Sequence, residues 1–166
     1  MINLSAADDE LVSSAAASPV PQVVGAPPPG AASDQPAPLD RAACEPALAA
    51  MRSELEEYGT LLNLLDRQQT AILDRAWETL QTVDHMISAQ QQVLRARRTQ
   101  RGKAVAALTP LEPPRTFSQL VPLIPPAMRP LAEALSMEAA RLKKLTARRI
   151  QHNERMLARA RQFAPR

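Results

Sequence analysis

The sequence predicts an all-α protein: a long antiparallel helical hairpin, packed as a coiled-coil-like bundle, with a short connecting helix and a disordered N-terminal tail. Three observations point there. Aromatic residues make up 2% of the chain against 45% apolar residues, so the core must come from Leu, Ala, Val, Ile and Met. Such side chains suit packed helices better than a sandwich or barrel. Glycine occurs only four times, as expected of long helices with few turns. Apolar residues also recur at 3–4 spacing through two long stretches separated by a proline-rich segment.

In chain order, the first element is the tail, residues 1–45. Through residue 46 the chain carries eight of its 16 prolines and six acids against one arginine, a net charge of −5. "VVGAPPPGAASDQPAP" suits neither a helix nor a central strand and has little to bury. It reads either as an inert tail or as a docking segment for another protein. The opening "MINLSAADDELV" is acidic and lacks the basic region of a secretory signal. No apolar run approaches the roughly 18 residues that span a bilayer. Cys44 is the sole cysteine, which excludes an intrachain disulfide and points to a reducing compartment, the cytoplasm. No histidine or basic cluster lies near it in sequence to activate the thiol.

The helical domain is expected over 46–166. A single long helix is predicted from Pro46, suited to a first turn, to Gly102, suited to a left-handed cap. Its stripe runs Leu48, Met51, Leu55, Tyr58, Leu62, Leu65, Gln69, Ile72, Ala76, Thr79, Val83, Met86, Gln90, Val93. Leu61, Leu73, Trp77, Leu80, Ile87 and Leu94 widen it, which implies more than one neighbour. Arg95, Arg97, Arg98 and Arg101 sit where the helix dipole favours cations. At 1.5 Å per residue the rod is roughly 80 Å long.

A proline-rich connector is predicted over 103–125. Within it, "TFSQLVPLIPP" reads as a short helix, with Thr116 and Gln119 spaced as a capping box. The last helix is predicted over 126–164, with the stripe Leu135, Ala139, Leu142, Thr146, Ile150, Asn153, Leu157, Ala160, Ala164. Asn153 stands where the spacing asks for an apolar residue. It either fixes the register between helices, as a polar group in an apolar seam does, or faces an open groove and bonds a client's backbone. Folded back antiparallel on the first, this shorter helix would leave Leu48, Met51, Leu55 and Tyr58 uncovered. That surface would need the tail, a second copy or a client.

No catalytic constellation is present, and neither enzymatic activity nor a cofactor nor a metal is expected. His85 and His152 lie on different predicted helices, and His152 with Glu154 lacks the second histidine of a zinc-binding HExxH pattern. The acids Glu54, Glu56, Glu57, Asp66, Asp74, Glu78 and Asp84 mostly fall off the stripe and read as a solvated face. From Arg141 to Arg166 there are nine Lys/Arg and one acid, a net +8. This stretch reads as a solvated face, as a site for an anionic partner, or as a site for an acidic protein surface. Phe163 is its single aromatic and no recognised motif appears, which argues against nucleic acid.

Three segments carry a family resemblance: "LEEYGTLLNLLDRQQTAILDRAWETLQTVDHMISAQQQVL", then "TFSQLVPLIPPAMRPLAEAL", then "IQHNERMLARA". Over residues 47–164 the chain resembles the FlgN family of flagellar export chaperones, which have a long first helix, a short helical segment and a final helix. Asn153 and Leu157, with Met156 at the preceding apolar position, match that family's final-helix signature. The resemblance implies a cytoplasmic protein that binds hook–filament junction (hook-associated) proteins before type III export, with a helix-in-groove mode. The expected client-binding residues are Leu48, Met51, Leu55, Tyr58, Leu62, Ile150, Asn153 and Leu157. The residues alone leave two alternatives open: a basic helical module for nucleic acid or anionic membrane, and a structural coiled-coil subunit that only self-associates.

Overall fold

The computed structural model describes residues 39–108 and 115–162, all within one compact unit. Of the tail expected over 1–45, residues 1–38 lie outside the described residues, as do 109–114 and 163–166, while residues 41–45 are helical and open the first helix instead. The described chain is all-helical and contains no strand. Helix α1 is Arg41–Leu73, α2 is Trp77–Leu108, α3 is Phe117–Leu120, and α4 is Arg129–Gln162, with a 3₁₀ turn at Val121–Leu123 between α3 and α4.

The predicted single helix over 46–102 is two helices. The chain reverses at Asp74–Arg75–Ala76 through a Schellman turn. Ala76 N–H donates to the Ala71 carbonyl at 3.0 Å and Arg75 N–H to the Ile72 carbonyl at 3.3 Å, while Arg75 takes φ 55°. An arginine in the left-handed region is strained by its Cβ, a position glycine would fill without that penalty. Arg75→Gly is therefore expected to raise stability by about 0.5–1 kcal/mol, or roughly 2–4 °C in a thermal melt.

The reversal changes how the rods are matched. α1, α2 and α4 have 33, 32 and 34 residues, so each is a rod of about 50 Å. α1 and α2 form the antiparallel hairpin. The last helix does not fold back on the first as predicted; α4 runs parallel to α1 and antiparallel to α2. One apolar cluster joins the start of α1 (Cys44, Ala47, Leu48, Met51), the end of α2 (Val105) and the start of α4 (Ala132, Leu135). Another joins the end of α1 (Ala71, Ile72), the start of α2 (Leu80) and the end of α4 (Met156, Leu157, Ala160). Between them lie Tyr58, Leu61, Leu65, Val83, Ile87, Leu142 and Ile150. Burying leucines such as Leu61 and Leu65 contributes about 1.5–3 kcal/mol each.

Three helix ends also differ from expectation. α1 starts at Arg41, so Pro46 lies inside it. Pro46 forfeits only the bond to the Ala42 carbonyl, and both residues are exposed to water. α2 continues through Gly102 to Leu108, because Val105 is buried in the first cluster and Ala104 and Leu108 pack beside it. That burial outweighs the roughly 1 kcal/mol cost of a mid-helix glycine. α4 opens at Arg129, three residues after the expected Pro126.

The connector caps one end of the bundle. Thr116 and Gln119 form the predicted capping box, and Phe117, Leu120, Val121 and Ile124 are buried against the start of α1. Leu39 N–H donates to the Leu123 carbonyl at 2.9 Å, and the Arg129 guanidinium donates to the carbonyls of Pro122 and Ile124 at 3.0 and 3.3 Å. These bonds seat the entrance of α1 and the entrance of α4 on the same 3₁₀ turn.

Candidate functional site

The architecture decides which expected client-binding residues face solvent. Leu48, Met51 and Tyr58 are each 2% exposed, enclosed by α4, the connector and the end of α2. Ile150 is also buried in the core. The expectation of an uncovered first-helix end at Leu48, Met51 and Tyr58 is thus corrected. It came from pairing one 80 Å rod with a shorter one, whereas three matched rods leave no such overhang. Leu55, Leu62 and Leu157 remain half-buried.

Asn153 faces the bundle and is 2% exposed. Its Nδ2 donates to the Leu65 carbonyl at 2.7 Å and to Gln68 Oε1 at 2.8 Å. Gln68 Nε2 in turn donates to Asp84 Oδ1 at 2.7 Å. The result is a hydrogen-bond chain running from α4 through α1 to α2. Among the described residues Asn153 Oδ1 has no hydrogen-bond partner. Geometry of this kind sets register and leaves the amide unavailable to a client.

A second polar group is buried between α1 and α2. Glu54 lies between Arg98, with Nε at 3.5 Å, and Arg101, with Nη1 at 3.2 Å. Arg101 Nη1 is near Glu54 Oε2 but lacks hydrogen-bond alignment, so the attraction there is Coulombic. The Arg98 guanidinium also donates to the Tyr58 hydroxyl, with its carbon 5.3 Å from the Tyr58 ring centroid. Farther along, Glu57 accepts from Arg97 Nε at 3.2 Å and Gln90 Nε2 at 2.8 Å. These pairs explain much of the arginine cluster that the sequence placed at a helix end.

The surface of interest is the shallow seam where α1 and α4 run side by side. Arg149 bridges it, with Nη2 3.1 Å from Asp66 and Nη1 donating to Gln69 Oε1 at 2.6 Å. One turn before that bridge lies Leu62 on α1 and Leu145 on α4. Because the helices are parallel, the two leucines sit at one level. Leu145 is 38% exposed, Leu62 is half-buried, and Leu55 lies two turns up α1 from Leu62. Leu131, farther toward the start of α4, is exposed as well. Arg141 and Arg148 flank Leu145 one turn to each side. Arg141 Nε and Nη2 each donate to Glu138 at 2.7 Å, which holds the Glu138 carboxyl below its ordinary range. From sequence Leu145 reads as a residue flanking the apolar stripe and is not assigned to the site; that position beside the stripe is the signal that it escapes the core.

Other chemistry is sparse. Among the described residues no cluster of three His, Cys, Asp or Glu could hold a metal, and no helix is long and apolar enough to cross a membrane. His85 is exposed on α2 and its Nδ1 lies 2.9 Å from the Gln81 carbonyl; His152 is exposed on α4. Cys44 is fully buried, and that burial, followed by the nearby Asp40 charge, pushes its thiol up and away from the reactive thiolate. No protein-family model matches the chain, and no curated protein or solved structure matches it.

Proposed function

We propose that this chain is a non-catalytic binding protein of the cytoplasm, which holds an amphipathic helical segment of a protein client. By the resemblance of its sequence, the clients are hook-associated proteins awaiting type III export. The observation that carries the proposal is the seam of Leu55, Leu62 and Leu145. Leu145 is exposed there, and Leu55 and Leu62, though packed against the core, keep part of their surface in solvent along two parallel helices, a setting in which a third amphipathic helix can bury its own apolar face. The order of parts in the sequence, a helical opening, a capped short helix and a final helix bearing Asn153 and Leu157, also supports it.

The test is calorimetric binding of the purified chain to terminal segments of hook–filament junction proteins, at low and high salt. A defined complex that persists at high salt is expected. Leu145→Asp is expected to weaken it at least tenfold while leaving the thermal melt within a few degrees, because Leu145 lies outside the core clusters. Failure of every junction segment to bind would remove the proposal.

A second reading rests on a different observation. Lys144, Arg148, Arg155 and Arg159 are exposed on α4, and their spacing places them on one face. Such a ridge suits a polyanion, nucleic acid or anionic membrane. Its affinity would fall steeply as salt rises, by counterion release for nucleic acid and by screening for a membrane.

A further inference from the structure

Gly59 is the odd residue on the seam. It lies inside α1, where glycine weakens a helix relative to alanine. Mid-helix glycines are ordinarily explained by close packing against the same chain. Here a Cβ built on Gly59 meets nothing within 4 Å, so the chain's own described packing does not require glycine. The backbone is helical, so no unusual conformation requires it either. Its neighbours one turn away on either side are Leu55 and Leu62, both half-buried. Gly59 therefore leaves bare helix backbone facing open space, between two partly exposed leucines whose other faces pack on the core. Gly102 is equally open but exposed, and at the same spacings its neighbours are Arg98 and Val105, the latter buried in the core.

The charge around Gly59 selects its occupant. On the α4 side, Lys144 and Arg148 are exposed and make no ion pair among the described residues, while Arg141 is paired with Glu138. Of the acids nearby, Asp66 is paired with Arg149 and Glu138 with Arg141, whereas Glu56, one turn before Gly59, is exposed and in no ion pair among the described residues. A second copy presenting this face about a two-fold axis would set these cations against themselves. A nucleic acid would find leucines at the centre. An amphipathic helix with acidic residues along one edge satisfies both parts.

We propose that Gly59 is the seat of a client helix: a large apolar side chain of the client packs onto the bare α1 backbone between Leu55 and Leu62, and the client's acidic edge lies against Lys144 and Arg148. The proposal rests on the helix-binding function above and names the partner's chemistry at that site. It accounts for the glycine as a hole kept open for a knob supplied from outside.

The experiment uses the full chain and its Gly59→Ala, Gly59→Leu and Gly102→Ala variants. Three probes are titrated: a junction-protein terminal segment, a designed Leu-faced helical peptide with a glutamate edge, and the same peptide with a lysine edge. Both alanine variants should melt at a higher temperature than the parent, since each removes a helix-interior glycine. The expected binding pattern is tight association of the glutamate-edged peptide, at least tenfold weaker association of the lysine-edged one, and a loss of tenfold or more with Gly59→Leu. Gly102→Ala should bind as the parent does. If Gly59→Leu folds and binds the junction segment and the glutamate-edged peptide as the parent does, the seat is elsewhere and this inference is overturned while the function stands. If the glutamate-edged peptide shows the expected pattern but no junction segment binds, the inference stands and the assigned client fails. Concentration-dependent dimerisation that Gly59→Leu abolishes would put a second copy on this face and overturn the inference. So would equal affinity for the two peptide edges, or no binding of any probe.

Discussion

Replacing Arg98 and Arg101 together with methionine should lower stability by about 3–5 kcal/mol, the range for leaving a buried charge unpaired. Glu54 is the reason. Its side chain is 3% exposed, whereas Arg98 and Arg101 keep 29% and 32% exposure. The two sides of the pair are therefore unequal. Removing Glu54 frees two guanidinium groups that already reach water. Removing both arginines strands a carboxylate among Met51, Tyr58 and neighbouring leucines. Arg98 also carries its contact with the Tyr58 ring, worth roughly a further 0.5–1 kcal/mol. Urea unfolding of four proteins measures this: the parent, Glu54→Gln, the double arginine variant, and the triple variant. Glu54→Gln alone should cost only about 1 kcal/mol. The triple variant should recover most of what the double variant loses. If the double variant unfolds at the parent's midpoint, the buried ion cluster has no energetic role.

Asn153→Asp should be comparably damaging at neutral pH, by about 3 kcal/mol or more, since it puts an unpaired charge in the core. The new carboxylate cannot donate to the Leu65 carbonyl and would face Gln68 Oε1, acceptors now fed by the amide. Burial must raise the native pKa of this aspartate above the ordinary value of about 3.9. An acid whose native pKa is raised is stabilised in its protonated form. The variant should therefore approach the parent's stability below about pH 4 and lose ground as pH rises through the raised pKa. Comparing the two proteins by thermal melts from pH 3.5 to 7.5 tests the sign. Asn153→Leu is the counterpart. It removes the unpaired Oδ1 together with the register bond, so it should fold with equal or greater stability but with a less uniquely fixed pairing of α4 on α1.

Much of this fold was legible because burial repeats along α4 at the helical period. Leu135, Leu142, Thr146, Ile150 and Asn153 are buried as their spacing requires. The capping box at Thr116 and Gln119 was legible because its chemistry is local. The reversal at Arg75 was not. It uses neither glycine nor proline, and apolar residues recur at helical spacing on both sides of it, so the spacing alone does not mark the turn. The buried face changes phase across it: in α2 the core takes Leu80, Val83, Ile87 and Leu94, while the expected stripe positions Thr79, Met86 and Val93 are exposed. The site followed the same logic. Leu62 was named from the stripe and Leu55 from rod lengths, and both keep partial exposure. Leu48, Met51 and Tyr58 were named from rod lengths, and that arithmetic changed once one rod became two. Gly59 carried no signal by sequence alone, because a mid-helix glycine becomes informative only when the space around it is known.

The central position of α1 has a consequence for the order of assembly. α1 packs along both α2 and α4, whereas α2 and α4 scarcely approach one another. The α1–α2 hairpin closes through a three-residue turn. The α1–α4 pairing joins residues as far apart as Leu65 and Asn153, across a much longer loop. Closing that loop carries the larger entropic penalty, so α4 should dock last and detach first. Its amide protons should exchange as one cooperative unit, ahead of those in the hairpin. A client helix lodged between α1 and α4 would slow that exchange, making α4 a latch whose closure reports occupancy.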